Sequence, residues 1–540
     1  MTKKIKEQIK FYTDLLKDGE FLLLKSKDSY FKTHYSSSPL ALLTGFLGTA
    51  GEAIIDKTGK ITLFVDTRYH ILAQKQIYPE IELYKMDLGE SFFEAFEKRF
   101  QKGKVLYVSN DIYLNEYLKL DKIFDLRTYQ LPDNFLKNKD LDEKATIFHL
   151  DEKIDKQSFD FKIEKFKKLN PNIEKTVVFN LDEISYLTNL RCFQAKNSSN
   201  FQSILYLDLK NSIYVLFCDL IFEKNLKNES FKVDRLDNFI NFISSKEGEI
   251  FLNVEDINLK NFLAIKKPKE LKKNSLALLA SIKPKSVIEH LKDCFYKTDC
   301  SILGFKNKLK VGLSEFELAA IFENEMCLNG ALDLSFKTIL ALDENSASIH
   351  YSSYDKNKIL KDESLILLDC GGYYEGGFAT DITRVFYYGQ KPKPIYKKIY
   401  TNVLKAFLAC YFSNETNAKE LDLMARKILK PFEKEGFYFN HGLGHGIGTS
   451  VHQNPPLLSF SSKDIIQPYQ THSIEPGLYG KSKDGEEFGI RIENCVYSDL
   501  NYDKISLSKF PFEEKLIDYS ILNINETQAI KKWQKDFEML

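Results

Sequence analysis

Charge excess is the first thing this 540-residue chain lacks: 76 Lys and Arg balance 76 Asp and Glu, leaving a formal net charge of zero. That balance argues against nucleic acid or an anionic membrane as partner, since both call for a basic face. Long apolar runs are missing too. Nothing approaches the roughly 18 consecutive apolar residues of a membrane span. The basic start, MTKKIKEQIKFYTDLLKDGE, places Asp14, Lys17, Asp18 and Glu20 where a secretory signal needs an unbroken apolar stretch. The eight cysteines occur singly, without a CxxC pair, so reduced thiols in a cytoplasmic compartment are expected rather than a disulfide framework. Tryptophan occurs once, at 533, at helical spacing with Ile530 and Phe537, and a packing anchor is expected there.

What is present is the composition of a soluble globular protein, 43% hydrophobic and 28% charged, too long for one core and sized for about three domains. The first third reads as mixed α/β. Ala53–Asp66 is strand, tight turn at Gly59, strand, preceded by the glycine-rich LLTGFLGTAG. A charged, turn-prone stretch, LPDNFLKNKDLDEK, marks a boundary. The order of elements then repeats: YLTNL (Tyr186–Leu190) echoes LLTGF, and Ile204–Asp219 echoes the strand–turn–strand. Two similar α/β domains in tandem are expected, 1–140 and 141–283, followed by a third region, 284–540. That region opens with helical spacing in SVIEHLKDCFYKTDCSILGFKNKL and SEFELAAIFENEMCLNG, the second stopping at Asn329-Gly330. The strands SLILLDCGG and TDITRVFYYG follow, then two helices, then THSIEPGLYG and EFGIRIENCVYS, each read as one strand.

Histidine is scarce, yet three of the nine, His441, His445 and His452, fall in the stretch HGLGHGIGTSVHQNPP. Two histidines four apart match the spacing of a zinc-protease helix, but no glutamate follows the first, and Gly442, Gly444, Gly446 and Gly448 disfavour a helix. A dinucleotide fingerprint starting at Gly442 would need glycine at 447, which is isoleucine. What the glycines allow is close backbone approach, leaving the imidazoles to point into a site.

Carboxylates are the better guide. Asp369 ends an apolar run and Asp381 begins the next strand, so a hairpin through CGGYYEGGFAT sets them side by side. Glu475 and Glu493 repeat the arrangement around GKSKDG. Acids flanked by Leu368, Ile382, Ile474 and Ile492 are poor candidates for a solvated face, and buried acids need counter-charge. Four carboxylates and one imidazole, His445, match two divalent cations in charge, and an oxygen-rich set suits Mn²⁺ or Co²⁺ over a thiolate-type zinc site. Two such ions roughly 3.5–4 Å apart activate water for hydrolysis.

Four stretches, LLDCGGYYEGGFATDITRVFYYG, HGLGHGIGTSVHQNPP, SIEPGLYG and GIRIENCV, resemble in order and spacing the active-site motifs of the pita-bread metallopeptidases. LLTGFLGTAG with VDTRY, DEISYLTNLR, LDLSFKTILALDENSASIHYS and PFEEKLIDYSILNINETQAIKKWQ resemble the two leading domains, the opening of the catalytic domain and the C-terminal extension of three-domain aminopeptidase P. The resemblance implies two creatinase-N-like α/β domains ahead of a pita-bread catalytic domain. It implies two divalent cations, Mn²⁺ first, with Co²⁺ or Zn²⁺ as alternatives, held by Asp369, Asp381, His445, Glu475 and Glu493. It further implies Glu475 as general base for an attacking water, and His350, His441 and His452 lining the site. Arg491 is expected to pair with a ligand carboxylate and keep it ionised. The implied activity is release of the N-terminal residue from Xaa-Pro peptides by a cytoplasmic homodimer. Here His452 and His350 would steady the developing oxyanion, and His441 would shape the proline subsite. Prolidase, acting on Xaa-Pro dipeptides, is the alternative within the class; a metal-free peptide-binding module is the alternative outside it. Three departures stand out: one extra residue between Asp369 and Asp381, expected as a bulge; Gln453 where glutamate is common; and Cys192 where glycine is usual.

Overall fold

The computed structural model describes residues 3–25, 30, 38–100, 102–130, 141–223 and 230–538. Of the stretch read as a boundary, residues 131–140 lie outside the described residues. The chain separates into two compact units, Met1–His149 with Ser158–Ala195 and Asn200–Leu276, and Leu150–Gln157 with Lys196–Ser199 and Ala277–Leu540.

Within the first unit, the echo seen in the sequence becomes a repeated topology. One six-stranded sheet has the order Glu82–Lys85, Ile61–Val65, Glu52–Asp56, Phe21–Lys25, Val105–Ser109, Asp125–Tyr129. The other runs Lys232–Asp234, Ile213–Phe217, Ile204–Asp208, Lys175–Val178, Ile250–Leu252, Pro268–Glu270. In each, the second, third and fourth strands of that order pair antiparallel and every outer pairing is parallel. The tight turn expected at Gly59 is there, with Gly59 at φ +86° and Asp56 Oδ1 accepting from the amides of Thr58 and Lys60. An aromatic-rich core joins the two sheets, Phe64, Phe96 and Phe124 on one side with Phe217 and Phe239 on the other. Cys192 is buried in this unit, and burial pushes its thiol up to about 12.

The second unit is built on strands covered by helices. Ser364–Cys370 is buried along its whole length. Its odd residues, Leu365 and Leu367, join the core of the helix Pro394–Tyr411, whereas Ile366 and Leu368 join that of Phe305 and Phe322 on the other side. Strand alternation therefore delivers Asp369 to the face of Leu365 and Leu367. The expected helices form as Lys285–Asn307 and Glu315–Leu328, the second opened by a reciprocal Ser314–Glu317 capping box. Trp533 packs against Phe407, Tyr411 and Phe512, as an anchor should. All eight cysteines are free thiols, and no helix among the described residues is long and apolar enough to cross a membrane.

Two expectations need correction. THSIEPGLYG and EFGIRIENCVYS are not single strands. Each breaks at its glutamate, giving Thr471–Ile474 and Gly477–Lys481, and Glu487–Arg491 and Asn494–Ser498. Pro476 has no N–H for a ladder, and the glutamate amides bond elsewhere: Glu475 N donates to Leu443 O (2.8 Å) and Glu493 N to Thr383 O (3.2 Å). The second correction is the bulge. Asp369 pairs with Thr383, Cys370 with Ile382 and Tyr373 with Ala379, all in one register. The extra residue is thus absorbed at the loop tip, where Gly376 and Gly377 both take positive φ.

Candidate metal centre

Three pieces of chain converge through those stray amides. Thr383 O takes the Glu493 amide and Leu443 O takes the Glu475 amide, which stitches the Asp369 hairpin, the histidine loop and the broken hairpin together. Because Asp369 faces Thr383 across the ladder, Asp381 lies diagonally from it on the same face.

The histidine loop is no helix. Gly444-His445 forms a two-residue strand against Leu457-Leu458. A side chain at Gly444 would run into Ser473 O, and one at Gly446 into Gln453 O, so the backbone comes as close as the glycines suggested. The helix Ala418–Leu429 fixes the loop's entry: Arg426 donates to Phe439 O (2.8 Å) and His441 O (2.5 Å), and Asp422 Oδ1 accepts from Leu443 N (3.0 Å). Gln453 ties the loop's exit, its Oε1 accepting from Thr449 N (2.8 Å) and Lys283 Nζ (3.4 Å).

Asp381, His445 and Glu493 each present a ligand atom, all within 4.8 Å of one another. His445 Nε2 lies 3.5 Å from Asp381 Oδ2 and 3.3 Å from Glu475 Oε1, placing Glu475 beside that trio. Asp369 is hydrogen-bonded to Arg491 Nη2, the carboxylate pairing expected of that arginine. The His452 ring packs 4.3 Å from the His445 ring. His350 is placed through its neighbour, since Ile349 O accepts from Arg491 Nη1 (3.4 Å).

The electrostatics fit a cation. Burial, joined by the charges of Glu493, Asp369 and Glu475, drives the Asp381 carboxyl well above its ordinary range. Burial and the charges of Glu475 and Asp369 do the same to Glu493. Burial likewise raises Asp369, against the pull of Arg491. For Glu475, burial is outweighed by its hydrogen bond and charge pairing with His445, and its pKa falls to about 2. Asp369 Oδ1, Asp381 Oδ1 and Glu493 Oε1 are buried without a hydrogen-bond partner. Buried carboxylate oxygens left in this state are costly unless a cation takes them, and the donor set is right for a hard divalent ion.

Two residues that sequence reasoning missed organise the rest. Thr383 Oγ1 donates to Glu493 Oε2 (2.7 Å) and accepts from Arg491 Nε (3.0 Å). Tyr479 Oη accepts from Arg491 Nη1 (2.7 Å) and bonds His441 Nε2 (3.0 Å). Arginine can only donate and a carbonyl only accept, so the chain has one direction: Arg491 to Tyr479, Tyr479 to His441, and His441 Nδ1 to Gly442 O (2.8 Å). His441 is thereby the neutral Nδ1–H tautomer, and burial lowers its pKa to about 4. Period two was the available clue: Thr383 is two past Asp381, and Tyr479 is diagonal to Arg491 across its hairpin.

Residues 297–498 match the model of metallopeptidase family M24, and residues 138–292 that of the creatinase/prolidase N-terminal domain. A probable Xaa-Pro aminopeptidase P of Coprinopsis cinerea is 26% identical, over 95% of this chain and 90% of its own. The fold is that of X-prolyl aminopeptidase from Caenorhabditis elegans, described as a cytosolic enzyme with a di-nuclear active site. The TM-score is 0.85 over 99% of this chain and 95% of that one, at 19% identity. Prolidase from Pyrococcus furiosus superposes on 64% of this chain and 98% of its own, with TM-score 0.52 at 24% identity.

Proposed function

We propose, from the match of residues 297–498 to metallopeptidase family M24, that this chain is a metal-dependent aminopeptidase releasing the N-terminal residue from peptides with proline in second position. The observation that carries this reading is the cluster of His445 with the buried Asp369, Asp381 and Glu493 and the half-buried Glu475, three of whose oxygens have no partner. Full-length relatives named for Xaa-Pro cleavage support it.

In this reading Asp369, Asp381, His445, Glu475 and Glu493 hold two divalent cations, with Mn²⁺ as the resident metal. When bound, such ions polarise the scissile carbonyl and make water acidic enough to ionise near neutral pH. The chain's own residues supply the rest. Glu475, kept ionised beside His445 and Ser473 Oγ (3.2 Å), serves as the base that takes a proton from the attacking water. To His452, whose ring packs against His445, and to His350, which follows the Arg491-bound Ile349, this reading assigns donation to the oxygen that becomes negative. His441 has both ring nitrogens engaged by the protein, so it contributes a ring edge to the proline pocket rather than a proton. Arg491, bonded to Asp369, favours its charged form against the opposing effect of burial. We further propose three domains, 1–140, 141–283 and 284–540, a homodimer through the last of them, and a cytoplasmic location.

The test is the initial rate on an Xaa-Pro-Pro tripeptide against an Xaa-Pro dipeptide, with Mn²⁺, Co²⁺ and Zn²⁺ compared. Cleavage of the tripeptide supports the aminopeptidase; cleavage of the dipeptide alone makes it a prolidase.

A further inference from the structure

Glu315 stands at the first turn of the helix Glu315–Leu328, fully buried, in a place where the helix has no need of it. The N-terminus is already capped by Ser314 and Glu317, so the Glu315 carboxylate is left to face inward. It accepts four hydrogen bonds. Oε1 takes Leu342 N (2.7 Å) and Asn345 Nδ2 (3.0 Å); Oε2 takes Tyr351 Oη (2.5 Å) and Asp355 N (3.0 Å). All four donors lie on one segment, 342–355. Two are its terminal amides, and a third is the phenol directly after His350.

Other bonds also fasten this segment, among them Leu365 N to Asp343 Oδ1 (2.9 Å), Tyr354 Oη to Thr338 O (2.6 Å) and Lys337 Nζ to Ser352 O. Among the described residues, however, Glu315 is the single side chain that binds it at both ends, Leu342 and Asp355, and at Tyr351 between them. The segment begins at the last residue of the strand Ile339–Leu342, continues through the short helix Asp343–Ala347, and has no strand or helix over residues 350–355. On its far side it meets the candidate centre, where Gly489 N donates to Ser346 Oγ (2.8 Å) and Arg491 Nη1 to Ile349 O (3.4 Å). His350 therefore sits between two fastenings. One runs through Ile349 to the arginine that binds Asp369, and the other through Tyr351 to Glu315.

We infer that Glu315 is a positioning residue for the reaction, acting through the 342–355 segment to set His350 at the centre. Four donors on one carboxylate require the ionised, acceptor-only form. Glutamine has the same shape but cannot replace it. Each carboxylate oxygen receives one backbone N–H, so whichever way the amide turns, its NH₂ faces a donor and one tether is lost.

This inference rests on the proposed peptidase reading, and its test is a double-mutant cycle on the full chain. Wild type, Glu315→Gln, His350→Ala and the double variant are loaded with Mn²⁺ and assayed on Xaa-Pro-Pro, with metal content measured for each. Inactivity of wild type would overturn the peptidase reading itself; the inference about Glu315 is judged only against an active wild type. For Glu315→Gln the expected result is a kcat lowered about 10-fold or more with metal content unchanged, and no further loss when His350→Ala is added. Independent, multiplying losses would overturn it, as would full activity of Glu315→Gln. Should Glu315→Gln fold poorly, Tyr351→Phe removes a single tether and keeps the carboxylate. Its kcat must then fall without a matching rise in KM, and the loss must again vanish on a His350→Ala background. A Tyr351→Phe variant with wild-type kcat would equally overturn the inference.

Discussion

Arg491 donates through Nη1 to Tyr479 Oη at 2.7 Å, and the phenol O–H in turn donates a hydrogen bond to His441 Nε2 (3.0 Å). A guanidinium that holds a candidate ligand, Asp369, thereby also fixes the tautomer of a histidine on another piece of chain.

Tyr479→Phe should expose that coupling. The change leaves one buried donor of Arg491 and one buried acceptor of His441 unsatisfied, a cost of about 1–3 kcal/mol. Expected are a kcat about 10-fold or more below wild type and a lowered Tm, with metal content retained. Steady-state kinetics with metal analysis checks this.

Thr383→Val should act on metal affinity instead. The isosteric valine removes the hydroxyl that donates to Glu493 and accepts from Arg491. Loss of such an outer partner typically weakens metal binding about 10- to 100-fold, readable by titrating Mn²⁺ into chelator-treated protein. Affinity equal to wild type would remove Thr383 from the account.

Removing metal should destabilise the fold and change its proton count. Burial first, then the neighbouring carboxylates, raise the pKa of Asp381 and Glu493 in the metal-free protein. Protons held there must leave when a cation binds. Chelation is expected to lower Tm, and Mn²⁺ added in weak buffer should release protons to a pH indicator.

His472 makes a separate prediction about acid. It is fully buried on the Thr471–Ile474 strand, and burial, with help from Lys504, lowers its pKa to about 3 from the ordinary 6.5. The unfolded chain therefore binds a proton that the folded one refuses, and stability falls with pH from about 6.5 down to about 3. Between pH 6.5 and 5 the loss is about 2 kcal/mol. Urea unfolding at the two pH values should show a smaller difference for His472→Leu than for wild type.

Much of the fold was legible because strands and helices announce themselves by period and punctuation. Gly59 and Asn329-Gly330 stand at the turn and the helix stop that their chemistry implies. The acids and His445 were legible because charged groups inside apolar runs are costly and few. Glu475 and Glu493 were misplaced as strand residues because their amides bond partners more than 30 and 100 residues away, Leu443 and Thr383, which local pattern does not register. Thr383, Tyr479 and Glu315 went unseen for a related reason. Their roles depend on which strands lie diagonal, or which loop lies over a helix start, and these are facts of tertiary pairing.

The most direct measurement is the rate of Xaa-Pro-Pro cleavage by Mn²⁺-loaded wild type and Asp381→Asn, with metal ions per chain counted in both. Asp381 touches His445 and adjoins Glu493, so the substitution should leave fewer than two ions per chain and cut kcat by about a thousandfold, on the order of 4 kcal/mol. Wild-type activity and metal content in Asp381→Asn would contradict the dinuclear assignment.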